Sequence, residues 1–580
     1  MLQLLKDTFF PLKERPQITA RVHVHTDTAS TGRRASNAMA GKKAPDPSQT
    51  FEDNSIEVDE TDSSTVVASH LSRQLSRRQI ELIAIGGTIG VALYVNIGTS
   101  LMNGGALSLL LGFGLWTLPM VEITSCCAEM VCYLPLPGAP FCIFADRFVD
   151  EALGVMSSWN FWVLQCAMIP FELTLFNSLI HYWATNYSPA ICFSVQLFAY
   201  LIINVAAVRW YGEAEFWLCM GKVLLAVMLM IFTFIVMLGG NPIHDRFGFR
   251  NWTTGHGTSP MLEYISTGDL GRFQGFLACI IAAAYMMAGP EYLSMAAGET
   301  KNPRKVLPPA FKSVFFRLLI FFIGGTLCVG ILCNARDPLL LDAISEGKPG
   351  AGASPYTIAM YNLHINVFPH IVNALLITSA FSAGNSYTFC SSRTLYGMAM
   401  QHRAPGVFRR CNKQGVPIFA VLVSLVWGAL AFLQLSQGAS KVLNWIINLI
   451  TASQLMNYCI ILFTYLHFRR AVRAQKLDRS KFGFKAIWQP YTCIITLCVV
   501  LSMVGVQGYT VFLPGGDWWS IQTFLFSYLM CFIDAAVFIG WKLVKRTKYK
   551  RDPLKVDLVS GLEEIEEHER LLEEEEKGKA

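Results

Sequence analysis

AAAYMMAGPEYLSMAAGETKNPRK, residues 282–305, decides how this chain is read. It opens as an apolar helix of membrane quality. It then meets Gly289-Pro290 at mid-span, with Glu291 directly after. Proline has no N–H to return to the preceding turn, and glycine has no side chain to hold a helix straight. Carbonyls before the break therefore lose their intrahelical partners. In hydrocarbon such backbone is tolerated only where protein covers it or where it lines a cavity. A helix end with free backbone groups at mid-membrane also suits a small polar solute.

The rest of the chain fits a membrane setting. Of 580 residues, 53% are hydrophobic and only 15% charged, against about 25% charged in soluble proteins. Charges crowd into both ends and short connectors. Between them lie apolar runs of about 20 residues, enough to cross a bilayer as helix. The pattern predicts an all-α integral membrane protein with about twelve transmembrane helices. Solid runs exclude the alternation of a β-barrel. The net charge is +6, but basic residues cluster at helix ends, so no nucleic-acid face forms. The 16 cysteines form no CxxC pair and read as small core hydrophobes. No HExxH and no GxxxxGK[ST] occurs. Neither a metal, nor ATP coupling, nor an enzyme activity is expected. The opening MLQLLKDTFFPLKERP is too short and interrupted for a signal peptide.

Residues 1–78 are polar and aperiodic, and read as a disordered cytoplasmic tail. A membrane domain of about twelve helices is expected over 79–543, with a first half at 79–240, a second at 272–468 and two further helices at 490–543. The fourth and fifth spans are placed at about 190–208 and 216–238, joined by the connector RWYGEAEFW. Residues 544–580 form a second cytoplasmic tail, whose GLEEIEEHERLLEEEEKGKA reads as a solvated acidic helix. Groups such as Arg77/Arg78, Arg304/Lys305, Arg469/Arg470/Arg473/Lys476 and Lys542/Lys545/Arg546 fall on one side if twelve helices alternate. The positive-inside rule then places both termini in the cytoplasm.

The first span carries its own weak point, Gly86, Gly87 and Gly90, each costing roughly 1 kcal/mol in a helix relative to Ala. Interrupted helices thus open two successive five-helix blocks. Matching breaks in two halves point to a transporter with a site at the bilayer midplane. The competing reading is that these glycines serve close helix packing. N–H groups at the start of a half-helix suit a carboxylate, and carbonyls at the end of one suit an ammonium group. One site with both can hold an α-amino acid.

The runs IGGTIG (85–90), YGEAEFW (211–217), GPEYLSMAAGETKNPRKVLPPA (289–310) and SAGNSYTFCSSRTLYGMA (382–399) resemble the fungal amino acid permeases of the amino acid–polyamine–organocation superfamily. The similarity spans about residues 70–550. It implies a leucine-transporter-type fold of two inverted five-helix repeats plus two peripheral helices. It further implies proton-coupled uptake of an amino acid at the plasma membrane, with the proton as coupling ion and no cofactor. Carried over, the first unwound segment is Thr88, Ile89, Gly90, Val91 and Ala92. The family usually has G-T-G-L-F where this chain reads Gly90-Val91-Ala92-Leu93-Tyr94. The hydroxyl at Val91 is therefore lost, and substrate identity stays open. On the sixth helix, carbonyls near Tyr285 and Ala288, beside Gly289, would face the ammonium group. Tyr285 would be an aromatic lid or, alternatively, a packed ring.

Ionisable side chains inside a membrane are functional candidates by default. Lys222 is the expected proton carrier, because related transporters place a lysine between their first and eighth helices. The competing reading is snorkelling to the interface. Glu291 is expected to tie the half-helices together or to handle the proton. Glu172, after Pro170, is expected to line the pathway. Ser382, Asn385 and Ser386 offer polar groups toward Lys222, or interhelical bonds. Glu129 and Asp534 are expected in interhelical bonding or near interfaces.

Two other functions stay open. One is a permease for polyamines or for quaternary amines such as choline or carnitine, which a tyrosine lid would suit. The other is an amino acid sensor or transceptor that signals through its tails. Lys42, Lys43, Lys577 and Lys579 are candidate ubiquitin acceptors, with a ubiquitin ligase and trafficking factors as partners beside the lipid bilayer.

Overall fold

A computed structural model describes residue 80 and residues 90–579, apart from 137, 185, 207, 255–258, 346–353, 413–414, 438, 480–481, 515–517 and 547–550. The N-terminal tail, Lys42, Lys43, Thr88 and Ile89 lie outside the described residues.

Helix α1 (Ile97–Tyr133) is two spans in one. Gly105, at φ 80°, interrupts its α geometry. Glycine takes that conformation without steric cost. A Cβ there would also stand 2.8 Å from the carbonyl oxygen of Pro260. The part before Gly105 follows the turn Val91–Leu93 and completes the opening span. Helix α2 (Glu151–His181) starts on Asp150, whose carboxylate accepts from the Ala152 N–H at 3.0 Å. Such a cap satisfies one orphan donor of the first turn. Pro170 lies within α2, where the Thr174 hydroxyl bonds the Pro170 carbonyl at 2.7 Å.

Helices α3 (Pro189–Ala206) and α4 (Val208–Met237) complete the first block. The stretch RWYGEAEFW, expected as a connector, is helical. Its lone Gly212 is a cost of about 1 kcal/mol, too little to end a helix that the flanking residues favour. The second block opens with α5 (Gly268–Met286) and α6 (Pro290–Ala296), separated by a break. Helix α7 (Pro303–Arg317) passes through a π turn, Leu318–Ile323, into α8 (Gly324–Leu332). Then come α9 (Phe368–Met400), α10 (Ile418–Val426) with a 3-10 extension to Leu433, and α11 (Ala439–Ala474). Helices α12 (Tyr491–Val506) and α13 (Ile521–Lys545) follow the two blocks.

Among the described residues, seven helices are long and apolar enough to span a membrane, and three shorter ones are also apolar. Helix α9 belongs to neither group. Its buried face carries Ser379, Ser382, Asn385, Thr388, Ser391 and Ser392, and it packs chiefly against α2. Surrounded by protein rather than lipid, it has no need of a uniformly apolar surface. It brings the total among the described residues to eleven. Burial ranks the helices: 78% of the apolar window is buried in α2 and α11 but only 17% in α13, which is therefore peripheral.

Helix α1 approaches α5 closely. A Cβ on Gly104 would stand 2.5 Å from the Cys279 sulfur, and one on Gly112 2.9 Å from the Cys279 Cβ. Small residues at such crossings let membrane helices gain dispersion contact.

The acidic tail departs from expectation. Residues 551–579, including α14 (Leu562–Lys579), fold back onto the bundle. Val556, Leu558 and Ile565 are buried. The Tyr133 hydroxyl donates to Leu558 O at 3.1 Å, and the Gln475 amide to Val556 O at 2.7 Å. Arg304 pairs with Glu566 at 3.3 Å. The acidic composition marks the face that meets basic helix ends, and the few apolar residues anchor it.

Candidate functional site

Two irregular segments meet the expectation of interrupted helices. Gly90 is extended, at φ −93° and ψ 170°, and the single turn Val91–Leu93 begins there with no side-chain cap. The opening N–H groups of any helical turn lack intrahelical acceptors. Those of Val91 and Ala92 are of this kind. Val91 is buried and Ala92 half-buried.

The second break runs from Met287 to Gly289. Ala283 is the last carbonyl of α5 with an intrahelical donor, the Met287 N–H at 2.9 Å. The carbonyls of Ala284, Tyr285 and Met286 come after it. Those of Met287 and Ala288 are already engaged. Met287 O accepts from the Tyr458 hydroxyl at 2.8 Å, and Ala288 O from Arg317 at 3.2 Å. Ala288 O, which the sequence suggested for the ammonium group, thus already accepts one hydrogen bond from a buried guanidinium. Gly289 makes this contact feasible: a Cβ on it would stand 2.2 Å from Arg317 Nη2.

Glu291 ties the break together. One carboxylate oxygen accepts the Gly289 N–H at 3.1 Å. The other accepts from the Gln454 amide and from Asn457, the latter at 3.3 Å. Tyr285 is half-buried, with the Asn96 amide beside its hydroxyl.

A buried ionisable group lies on α4, α9 and α2. Lys222 is 1% exposed and does not snorkel. Its ammonium stands 3.9 Å from Glu215, whose same oxygen accepts the Ser382 hydroxyl at 2.8 Å. Glu172 reaches toward the first break, with Oε1 3.8 Å from where a Gly90 Cβ would lie. Its Oε2 is buried without a hydrogen bond among the described residues. The positive charge of Lys222 acts on that carboxylate. Ser386 is buried one turn further along α9. Asn385 accepts from the Asn204 amide at 2.8 Å, an interhelical bond.

Sequence reasoning missed Glu215, Arg317, Gln454, Asn457 and Tyr458. Glu215 and Lys222 are seven residues apart, two helical turns on one face, and that spacing was a usable signal. Arg317 is a lone cation in the apolar run VFFRLLIFF. The three α11 residues carried no local signal, since only the fold brings them to Gly289.

Known proteins match this chain closely. The family model described as "Amino acid permease" matches residues 79–554. The general amino acid permease AGP2 of Saccharomyces cerevisiae is 53% identical over 504 residues, covering 86% of this chain and 83% of the relative. A probable proline-specific permease, put4, of Schizosaccharomyces pombe is 36% identical, covering 84% of this chain and 87% of the relative. Among solved structures, a manganese transporter of Eremococcus coleocola is 12% identical, with a TM-score of 0.49, covering 83% of this chain and 99% of that one.

Proposed function

The chain belongs to the amino acid permease family, and we propose that it couples amino acid uptake to proton entry at the plasma membrane. It is a multi-pass membrane transporter of amino acids rather than an enzyme. In the proposed mechanism the substrate carboxylate meets the N–H groups of Val91 and Ala92, next to Gly90. The substrate ammonium meets the carbonyls of Ala284 to Met286, with Tyr285 as lid. Glu291 holds the second break in shape. Lys222, Glu215 and Glu172, with Ser382 and Ser386 nearby, carry the proton. Both termini lie in the cytoplasm. Thr88 and Ile89 would complete the carboxylate side.

One observation carries this reading. Lys222, Glu215 and Glu172 lie buried near one another, with Glu172 beside the first break, and each of the two carboxylates keeps one oxygen without a hydrogen bond among the described residues. Intramembrane charges are costly and mark ion or substrate paths. Uptake in a permease-deficient yeast, with a competition panel at two pH values, tests it. The expected result is accumulation of an amino acid that increases as the external medium is acidified. Signalling without accumulation would favour a sensor and overturn the proposal.

A second reading has its own support. The unpartnered oxygen of Glu172 would suit a substrate with an uncompensated positive charge, such as choline, carnitine or a polyamine. Strong competition by these amines, with none by neutral amino acids, would favour it. In either case the exposed Lys577 is a candidate ubiquitin acceptor near the end of α14.

A further inference from the structure

The last turns of α11, the basic connector after it and the start of α12 enclose a cavity of about 600 Å³, lined by Arg469, Arg470, Arg473, Lys476, Gln489 and Ile494 among others. None of its first four basic residues joins an ion pair among the described residues. Arg469 Nε is buried there without a hydrogen bond. Arg479, the fifth cation on the cavity wall, is instead turned to Glu129. Four like charges around one hollow repel one another, and an anion in the hollow would relieve that repulsion.

The rim identifies the anion's source. Trp488 is 80% exposed and Tyr491 73%. Such rings mark the membrane–water boundary, where an apolar body and a polar edge are both satisfied. Ile494 and Ile495 follow on α12 and are also exposed. Basic side chains thus face a headgroup layer while apolar ones continue into the hydrocarbon.

We propose that this cavity binds the phosphate-bearing headgroup of an anionic phospholipid, whose acyl chains lie along Leu466 and Ile494. The wall is hydrogen-bonded to α1. Gln489 donates to Glu122 of α1, and Arg479 to Glu129 of the same helix. A bound lipid therefore bears on the part of α1 that follows Gly105. The site is separate from the substrate site and does not depend on the coupling ion.

Native mass spectrometry of the purified full-length protein tests the proposal. It is titrated with phosphatidylcholine, phosphatidylserine or phosphatidylinositol 4,5-bisphosphate, and separately with inorganic phosphate or inositol hexakisphosphate. The variant is Arg470→Gln/Arg473→Gln/Lys476→Gln, three exposed positions. The phosphoinositide should bind at least tenfold more tightly than phosphatidylcholine. The triple variant should weaken it on the order of a hundredfold, about fivefold per charge removed. Should the triple variant fail to accumulate, Arg470→Gln and Arg473→Gln are read singly, each expected to weaken binding about fivefold. Equal binding of neutral and anionic lipids would overturn the proposal. So would unchanged binding in the variants, or headgroup analogues that bind as tightly as the whole lipid.

Discussion

Arg479 lays its guanidinium across the carboxylate of Glu129, with Nε 2.7 Å from Oε1 and Nη2 2.8 Å from Oε2. The Tyr465 hydroxyl and the Ala486 N–H also donate to Oε2, at 2.7 and 2.9 Å. Glu129 is fully buried, so α1, α11 and the following connector meet on one carboxylate. Removing it leaves a partly buried guanidinium and an N–H group without an acceptor. That loss is about 3 kcal/mol. Glu129→Ala should lower the melting temperature in detergent by several degrees, and Glu129→Gln should fall between it and the native protein. A native melting curve for Glu129→Ala would contradict this.

Gly289 and Arg317 should behave as one unit. A methyl at 289 displaces the guanidinium that a lysine at 317 cannot replace. Gly289→Ala and Arg317→Lys should each raise the KM for the transported amino acid roughly tenfold, the worth of one charged hydrogen bond. The double variant should be little worse than either single one. Kinetics at matched surface amounts provide the check; full additivity would show that the two sites act independently.

Lys222→Ala removes the cation beside Glu215 and Glu172. Concentrative uptake should be lost, while exchange of labelled for unlabelled substrate persists. Uptake measured at external pH 5 and 7 should no longer differ. Accumulation with the native pH dependence would exclude Lys222 from the proton path.

Glu172 Oε2 makes no hydrogen bond among the described residues, so Glu172→Gln should fold and reach the surface normally. Its uptake should show a flattened pH profile. Choline and polyamines, if they compete with the native protein, should lose that ability. A variant that does not accumulate would instead mark Glu172 as structural.

Asp557 offers a pH test outside the membrane. Partial burial raises its carboxyl, but hydrogen bonds from Ser560 and Arg147 outweigh this and hold it at about 2, below its ordinary 3.8. A depressed carboxyl stabilises the fold above its ordinary value, and that contribution disappears as pH falls toward 2. Solvent screening limits it to about 1 kcal/mol. The contribution of this residue to melting should therefore be present and constant between pH 5 and 7. Asp557→Asn should melt lower than native at pH 7, and the two should converge near pH 2. A constant gap across that range would rule out the ion pair with Arg147 as its source.

The membrane crossings, the interrupted helices and the ion-bearing spans were legible from the chain itself. Lipid demands about 20 apolar residues per helix, and a proline after a glycine breaks a helix wherever it occurs. The resemblance in residues 289–310 and 382–399 added the family. Boundaries were less legible: α4 runs on through RWYGEAEFW, since one glycine is a weak stop.

What the sequence determined on its own was therefore local: where hydrocarbon is crossed, where the backbone must break, and which spans carry charge. The tertiary structure alone decided which partner each broken or charged group takes. The Ala288 carbonyl accepts from Arg317, 29 residues away, and Glu291 is held by Gln454 and Asn457, over 160 residues away. The acidic tail is docked rather than solvated because Ile565 and Glu566 find complementary surfaces on other helices. A hydrogen bond in a dry interior depends on position to within a fraction of an ångström, and position between distant segments is set by the packing of the whole bundle.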